Sequence, residues 1–248
     1  MKTEINNINV LIIIPCFNEE ASIYKLLLEI KGVKIPNVIL HALPVNDCST
    51  DKTTNEIERA TSVYLDLTVN LGIGGAVQSG YHFAQLHQYD IAVQLDGDGQ
   101  HPVSELSKLL TPLIQNECDV VIGSRFIHKE GFQSSSLRRF GINYFKRLNQ
   151  FLLGIKITDS TSGYRAINTK ALKLVCDYYP DEYPEPEAII LFHMNGLKIR
   201  EVPVEMKERQ GGVSSISSFR SLYYMIKVTL GILFIYFRIK FYGKRSTL

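Results

Sequence analysis

Short apolar runs alternate with amphipathic, helix-like segments through the first half of this 248-residue chain. The first run, Val10–Ile14, is continuously apolar, as expected for a parallel strand that is covered on both faces. Further strands are predicted over residues 37–45, 62–67, 91–95 and 119–122, and helices over residues 20–30, 51–61, 75–86 and 104–114. Repeated strand–helix units with short connections predict an α/β fold with a doubly wound, mostly parallel sheet flanked by helices.

The second half of the chain is less regular. Helices are predicted over residues 137–153 and 187–194, and a loop that enters a short strand over residues 160–167. Pro203 lies inside a predicted strand over residues 198–206, which indicates an edge strand or a bulge. Because no linker-like composition divides the chain, we expect one domain over residues 1–218 and a C-terminal segment over residues 219–248.

Polar and glycine-rich segments follow the predicted strands. Open α/β sheets bind ligands beyond the carboxyl ends of their strands. The segments at those ends are Pro15–Glu20, Asn46–Asp51, Asn70–Gly75, Asp96–His101 and Ser124–Phe126. The sequence therefore predicts a single ligand site at this edge of the sheet.

The segment from Asp96 to His101 carries the strongest chemical signal. Asp96 and Asp98 flank one glycine at the end of an apolar strand, and Gln100 follows them. Alternate oxygen ligands on a tight turn suit Mg²⁺ or Mn²⁺, which can bridge to a diphosphate. An EF-hand is excluded because His101 and Ser107 stand where that loop needs glycine and glutamate. Capping of the next helix would explain one aspartate but not both.

Two other loops carry candidate nucleotide-binding residues. Asp47 follows the second strand, where an acidic residue of an open α/β sheet could bind the base or the ribose of a nucleotide; its neighbours Ser49–Asp51 also suit helix capping. The run Gly72–Val77 opens a helix, so the backbone around Gly74 can approach an anion closely. A dinucleotide fingerprint is not favoured, because Val77 takes the position of its last glycine.

Three loops carry arginine among serine or glycine residues. They contain Ser124 and Arg125, Asp159–Arg165, and Arg209–Ser215. Arginine suits bidentate phosphate contacts, although a surface ion pair is an equal alternative for each one taken alone. Glu185 and Glu187 open a predicted helix, where their negative charges can stabilise its positive N-terminal end. Alternatively, Glu187 is a general base for an acceptor hydroxyl.

Charge is unevenly distributed along the chain. The whole protein carries 27 basic and 25 acidic residues, and this near balance argues against a nucleic-acid partner. From residue 219 onward, however, there are six basic residues and no acidic one, so the preceding 218 residues carry a net charge of −4. The sequence thus joins a mildly acidic body to a basic, apolar end.

The apolar core of that end is Leu222–Phe237, which is shorter than the roughly 20 residues of a spanning helix. With its flanking cations and tyrosines it suits the membrane interface over residues 219–245, on the cytoplasmic side. The alternative is a helix packed on the body or in a homo-oligomer. The four cysteines have no C-x-x-C spacing, which favours reduced thiols over a disulfide framework or a zinc site.

Together these motifs resemble family 2 glycosyltransferases of the GT-A fold, and are similar to the dolichyl- and polyprenyl-phosphate sugar transferases. The resemblance covers about residues 8–215, and no single motif carries it. The matching segments, in chain order, are IPCFNEE, NDCSTDKT, NLGIGGA, LDGDGQHP, GSRF, DSTSGYRA, and EVPV followed by RQGGVSS. The Q-x-x-R-W signature of processive members is absent from the sequence, which argues against a polymerising synthase.

The resemblance implies roles for named residues. Asp96, Asp98 and Gln100 would bind the metal, and Pro15, Asn18, Glu20 and Asp47 the nucleoside. Arg125, Arg165 and Arg209 would surround phosphates, with Gly74, Ser124 and Ser214 as further donor or acceptor contacts. Asp98, Arg125 and Glu187 are the expected catalytic residues. The sequence departs from the family pattern at three positions. Asn46 stands where the family often has Asp, Cys48 where it often has Gly, and Ile73 where it often has Lys.

The sequence therefore predicts a metal-dependent, inverting transfer of one sugar from a nucleotide diphosphate sugar to a lipid-linked acceptor, either a polyprenyl phosphate or a lipid-linked glycan. The alternative is a noncatalytic protein of the same fold that binds a nucleotide sugar at the membrane.

Overall fold

The computed structural model describes residues 7–128, 136–180, 184–207 and 218–243. These residues form a seven-stranded sheet with the order β3-β2-β1-β4-β6-β5-β7. The strands β1–β7 are Ile8–Cys16, Val38–Asn46, Leu65–Asp66, Ile91–Gln94, Val120–Ser124, Arg165–Asn168 and Ile199–Pro203. The helices α1–α8 are Ile23–Gly32, Thr53–Ala60, Gly72–Leu86, Leu106–Ile114, Ser136–Leu153, Thr169–Asp177, Pro184–Met194 and Ser218–Tyr242.

The sheet is parallel except at β6. This strand lies between β4 and β5 and runs antiparallel to both. Arg165, at its start, is therefore in register with Gln94 on one side and Ile122 on the other. The mostly parallel sheet confirms the predicted fold class, and β7 lies at the edge of the sheet, as Pro203 indicated.

Helices cover both faces of the sheet, because the buried strands are apolar on both sides. Alternate residues of β1 show this division: Ile12 and Ile14 belong to one core cluster, Leu11 and Ile13 to the other. The helix α3 approaches β1 so closely that a Cβ on Gly80 would lie 2.3 Å from Cγ2 of Ile13. Glycine at position 80 therefore sets the distance between this helix and the sheet.

Two elements differ from the sequence-based expectation. β3 spans only Leu65–Asp66, because only these residues pair with β2, at Val45 and Asn46. The helix α6 had not been predicted. The side chain of Asn168 caps it by accepting a hydrogen bond from the backbone N–H of Ala171 at 3.0 Å.

The C-terminal helix α8 packs against α5 and α7 through a third apolar cluster. Its buried residues are Phe145, Ile190, Val228, Ile232 and Ile235. Packing on the body, one of the two alternatives for this segment, thus accounts for one face of the helix. Within the described ranges, no helix has the length and apolarity needed to cross a membrane. The division of the chain at residue 218 stays a prediction.

Candidate donor site

The loops that follow β1 and β2 are joined by hydrogen bonds between backbone N–H groups and side-chain oxygens. The N–H of Asn18 donates to Oγ of Ser49 at 3.0 Å, and Oδ1 of Asn18 accepts from the N–H of Thr50 at 2.8 Å. Similarly, Oε2 of Glu20 accepts from the N–H of Lys52 at 2.9 Å. Asn18 and Glu20, both predicted to hold a nucleoside, are therefore exposed residues that also fix one loop to the other.

Asp47 lies where the second loop meets the glycine-rich start of α3. It is buried, and its Oδ1 accepts from the N–H of Leu71 at 2.7 Å. The side-chain amide of Asn70 donates to the backbone carbonyl of Asp47 at 3.0 Å. The structure thus brings Asp47 next to the first turn of α3, which contains Gly74. Pro15, in register with Val45, is buried at the end of β1.

At Cys48, one of the departures from the family pattern, the backbone conformation is one that favours glycine. Cys48 has a φ of +60°, in the left-handed region that glycine adopts without cost. A frequent glycine at this position therefore has a conformational reason. Ile73, at another departure, is a partly exposed apolar residue on the first turn of α3.

The loop of residues 96–101, which was predicted to bind a metal, follows β4 and is tightly closed. Oδ1 of Asp98 accepts from the N–H of Gln100 at 2.9 Å, and Gly99 between them has a φ of +76°. Asp98 is buried, whereas the side chain of Asp96 is 33% exposed. The carbonyl of Gly97 accepts from Oγ of Ser22 at 2.7 Å, which ties the loop to the start of α1.

The imidazole of His101 is hydrogen-bonded to the backbone of this loop. Its Nδ1 accepts from the backbone N–H of Asp96 at 3.0 Å, and its ring stacks on Tyr164 with centroids 4.8 Å apart. Burial lowers the pKa of His101 to about 4, so the imidazole is neutral at pH 7. Because Nδ1 is an acceptor, the ring proton resides on Nε2, which lies 3.7 Å from Oδ2 of Asp96.

Arg125 and Ser124 are anchored to the loop that precedes β6. The guanidinium of Arg125 forms a buried, bidentate pair with the carboxylate of Asp159, and Oγ of Ser124 lies 2.8 Å from Oγ1 of Thr158. Glu201, on β7, in turn accepts hydrogen bonds from the backbone N–H groups of Thr158 and Asp159, both at 2.8 Å. This network fixes the orientation of Arg125.

Arg165 is 1% exposed and donates to three backbone carbonyls. Its Nε donates to the carbonyl of Ser162 at 2.8 Å. Its Nη2 donates to the carbonyls of Ser160 and Glu185, at 3.1 and 2.6 Å respectively. It therefore joins the loop before β6 to the first turn of α7. Its expected contact with a phosphate stays a prediction.

The two glutamates at the start of α7 have different surroundings. Burial raises the pKa of the Glu185 carboxyl, and the positive charge of Arg165 opposes this rise. Glu187 faces α8: a Cβ on Gly231 would lie 2.6 Å from its carboxyl carbon. The candidate base thus lies at the junction of α7 with the C-terminal helix.

Arg209 and Ser214 lie outside the described residues. The preceding residue that the structure describes, Lys207, donates its backbone N–H to the carbonyl of Gln100 at 3.0 Å. The chain therefore passes the loop of residues 96–101 two residues before Arg209.

Sequence reasoning missed the supporting roles of His101, Asp159 and Glu201. His101 directly follows the aspartate pair, and Asp159 lies in the motif that ends at Arg165, so their positions offered a signal. Glu201 offered none, since it stands on a strand remote in sequence from the residues it contacts.

The oxygen ligands of the loop suit a hard divalent cation. The described part of the chain holds no group of three or more His, Cys, Asp or Glu residues able to hold a metal ion. A Mg²⁺-type site that is completed by substrate phosphates needs only one or two protein carboxylates. Asp96 and Asp98 meet that number, and the fold matches the predicted α/β class of sugar transferases.

Comparison with known proteins specifies this class. The model of Glycosyl transferase family 2 matches residues 11–175, about two thirds of the chain. The chain belongs to this family and is a glycosyltransferase with a GT-A fold.

Relatives and solved structures agree with this assignment. The chain is 30% identical to polyprenol monophosphomannose synthase of Mycolicibacterium smegmatis, over 88% of this chain and 84% of that protein. It is 29% identical to UDP-N-acetylglucosamine–dolichyl-phosphate N-acetylglucosaminyltransferase of Methanococcus voltae, over 89% and 96%. Glucosyl-3-phosphoglycerate synthase of Mycobacterium tuberculosis, solved with Mn²⁺, UDP-glucose and phosphoglyceric acid, is similar in fold, with a TM-score of 0.70 at 18% identity over 93% and 80% of the two chains.

Proposed function

We propose that this glycosyltransferase moves a single sugar, with inversion, from a nucleotide diphosphate sugar to a lipid-linked acceptor, and that it requires Mg²⁺ or Mn²⁺. The observation that carries the proposal is the closed loop with Asp96 and Asp98, at the sheet edge that also holds Asp47. One relative is named for transfer to dolichyl phosphate and another for the synthesis of polyprenol monophosphomannose, and a protein of similar fold was crystallised with Mn²⁺ and UDP-glucose.

Each part of the site has a task in this reaction. Asp47 and the loops that carry Asn18 and Glu20 would hold the nucleoside. Asp96 and Asp98, with Gln100 nearby, would hold the cation, which when bound neutralises charge on the leaving diphosphate. The acceptor oxygen forms its bond to the anomeric carbon on the face opposite the breaking bond to the diphosphate, so the configuration inverts.

The acceptor determines whether a base is needed. A polyprenyl phosphate is already an anion, and its oxygen attacks without losing a proton. A hydroxyl acceptor must lose a proton, and Glu187 would accept it. The names of the relatives favour the phosphate acceptor.

Two variants test the reaction. If the acceptor is a polyprenyl phosphate, Glu187→Gln should retain near-normal activity, and a loss of about 100-fold or more would instead support a hydroxyl acceptor with Glu187 as its base. Asp98→Ala should abolish transfer, and retained activity without added divalent ions would contradict the metal assignment.

The donor is identified by ligand-induced stabilisation. Thermal unfolding is followed with UDP-, GDP- and dTDP-sugars, with and without Mn²⁺, because a ligand that binds the native state raises the midpoint by mass action. The donor should give the largest, Mn²⁺-dependent shift. Stabilisation by a nucleotide sugar without release of nucleotide to any acceptor would indicate a noncatalytic binding protein.

We further propose that α8 attaches the protein to the cytoplasmic face of the membrane. One side of the helix packs on the body, and the other exposes an apolar stripe at helical spacing, formed by Tyr223, Ile226, Leu230, Phe234, Phe237 and Phe241. Lys240 and Arg238 adjoin this stripe, and cations beside an apolar helix face favour an anionic lipid surface. Phe151 of α5 is also an exposed aromatic residue, at 86%.

Vesicle flotation tests this attachment. The wild type should float with vesicles that contain phosphatidylglycerol, and less with pure phosphatidylcholine. Phe234→Glu combined with Phe241→Glu should abolish flotation, whereas Leu86→Glu, at an exposed apolar residue of α3, should not change it. A double variant that alters the oligomeric state in light scattering and leaves flotation intact would assign the stripe to a second copy of the chain.

A further inference from the structure

Gly163, in the loop before β6, lies directly against the carboxylate of Asp96. A Cβ at this position would lie 3.2 and 3.3 Å from the two carboxylate oxygens of Asp96, and 3.0 Å from Nε2 of Gln94. The φ of Gly163 is outside the left-handed region, so its backbone conformation does not require glycine. The absence of a side chain there instead provides room for the carboxylate.

The loop that carries Gly163 cannot easily move away from Asp96. The buried guanidinium of Arg165 holds the carbonyls of Ser160 and Ser162 on the same loop, and that of Glu185 on α7. Arg165 is itself fixed in the sheet between Gln94 and Ile122. The side chain of Arg165 therefore joins this loop to α7, while its backbone belongs to the sheet.

Asp96 is restrained on a second side by His101. The neutral imidazole holds the backbone N–H of Asp96 through Nδ1, and its Nε2 lies 3.7 Å from Oδ2 of the same residue. The carboxylate of Asp96 thus lies between the ring of His101 and the backbone of Gly163, while its side chain keeps 33% exposure.

We propose that Gly163 and Arg165 are positioning residues that set the orientation of the Asp96 carboxylate toward the cation. Gly163 does so by close approach of its backbone, and Arg165 by holding the loop in place. This inference rests on the proposed metal-dependent function. It assigns Arg165 a role through the carbonyls that it binds rather than through a phosphate. Groups that orient a metal ligand commonly change metal affinity about 10–100-fold when they are altered.

Gly163→Ala tests the inference, with Gly32→Ala as the control because a Cβ there meets no atom within 4 Å. Mn²⁺ binding is measured by the loss of the free-ion electron paramagnetic resonance signal, with Mn²⁺ alone and with UDP or GDP added. We expect Gly163→Ala to bind Mn²⁺ at least about tenfold more weakly than the wild type. Gly32→Ala should bind like the wild type.

The outcomes separate this inference from the proposed function. If the wild type and Gly163→Ala bind Mn²⁺ equally, the positioning role is wrong and the metal site stands. If the wild type binds no Mn²⁺ under any of these conditions, the metal site itself is wrong, and the inference falls with it.

A second variant applies if Gly163→Ala does not fold. In Asp96→Ala/Gly163→Ala the carboxylate is gone and the new Cβ would meet only Nε2 of Gln94, the end of a flexible side chain that can shift slightly, so folding should be recovered. If the double variant also fails to fold, Gly163 has a structural role only, and the inference is overturned.

Discussion

Arg125 and Asp159 form a bidentate ion pair in which both side chains are buried: Nε donates to Oδ2 and Nη2 donates to Oδ1, each at 2.7 Å. The backbone N–H of Arg125 also donates to Oδ2, at 3.1 Å. Because Glu201 fixes the backbone of Asp159, the orientation of the guanidinium depends on a strand at the edge of the sheet. The arginine expected to act at the donor site is thus held in place before any substrate binds.

Asp159→Asn should destabilise the protein strongly. The substitution keeps the size of the side chain but leaves the buried guanidinium uncompensated, which typically costs about 3–5 kcal/mol. Urea unfolding measures the loss. The control is Glu56→Gln, which removes the exposed ion pair with Arg59 and should change stability little, because solvent screens such a pair. Equal losses in the two variants would contradict a dominant role for the buried pair.

Gly231→Ala should reveal the contact between α8 and Glu187. In a Glu187→Ala background the new methyl group has room, so the substitution should stabilise the helix by about 1 kcal/mol. In the wild type the Glu187 carboxylate must move, so that gain should be reduced or reversed. Urea unfolding of the four proteins of this cycle gives the coupling.

Gly141→Ala is the control for that cycle, because a Cβ on Gly141 meets no atom within 4 Å. Its effect should be the same in both backgrounds. A Gly231→Ala effect that is equally independent of Glu187 would show that the two residues do not interact.

Asp119→Asn should reduce stability at pH 7 and weaken its decline in acid. Burial by itself would raise the pKa of Asp119, but hydrogen bonds from the Lys198 backbone and Asn168 and the charge of Lys170 lower it overall. A carboxyl with a depressed pKa contributes stability above its ordinary value of 3.8, and that contribution is lost as the pH falls through 3.8 toward the folded value.

Unfolding free energies measured from pH 7 to pH 3 test this expectation. Asp119→Asn should lose at most about 1 kcal/mol at pH 7, because solvent screens this partly exposed carboxylate, and should show a smaller decline below pH 4 than the wild type. Glu205→Gln, at an exposed position, is the control. A decline as steep as in the wild type would mean that Asp119 does not contribute to acid sensitivity.

Cys48→Gly should be more stable than Cys48→Ala. Both variants lose the thiol, but only glycine relieves the left-handed conformation at φ +60°, a difference of about 1 kcal/mol. The comparison by urea unfolding needs no correction for the lost side chain, since it is lost in both. An alanine variant as stable as the glycine variant would argue against backbone strain at this loop.

The sequence alone predicted that the loops of the candidate donor site lie together at one edge of the sheet. The carboxyl ends of parallel strands meet at one edge, so the loops with Asn18, Asp47 and Asp98 could be expected to lie together. The structure brings the first two into a hydrogen-bonded pair of loops, and the third closes onto the start of α1. Their individual contacts with a donor stay predictions.

Other features depend on partners that the sequence does not identify. The strand β6 has only four residues, too few for a pattern that indicates its antiparallel direction. Arg165 stands in a serine-rich motif that suggests an exposed loop. It is nevertheless buried, and it donates to backbone carbonyls of two segments. Composition identified α8 as apolar and basic, but only the packing of α5 and α7 decides which of its faces is covered.

The position of β6 has a consequence for synthesis of the chain on the ribosome. The strands β3, β2, β1 and β4 can pair as soon as residue 94 has emerged, but the outer edge of β4 has no partner until β6, ending at residue 168, follows. The strand β5 is made earlier than β6 yet cannot join the sheet before it. For more than 70 residues of translation, the nascent chain therefore exposes an apolar strand edge, the kind of surface that chaperones cover.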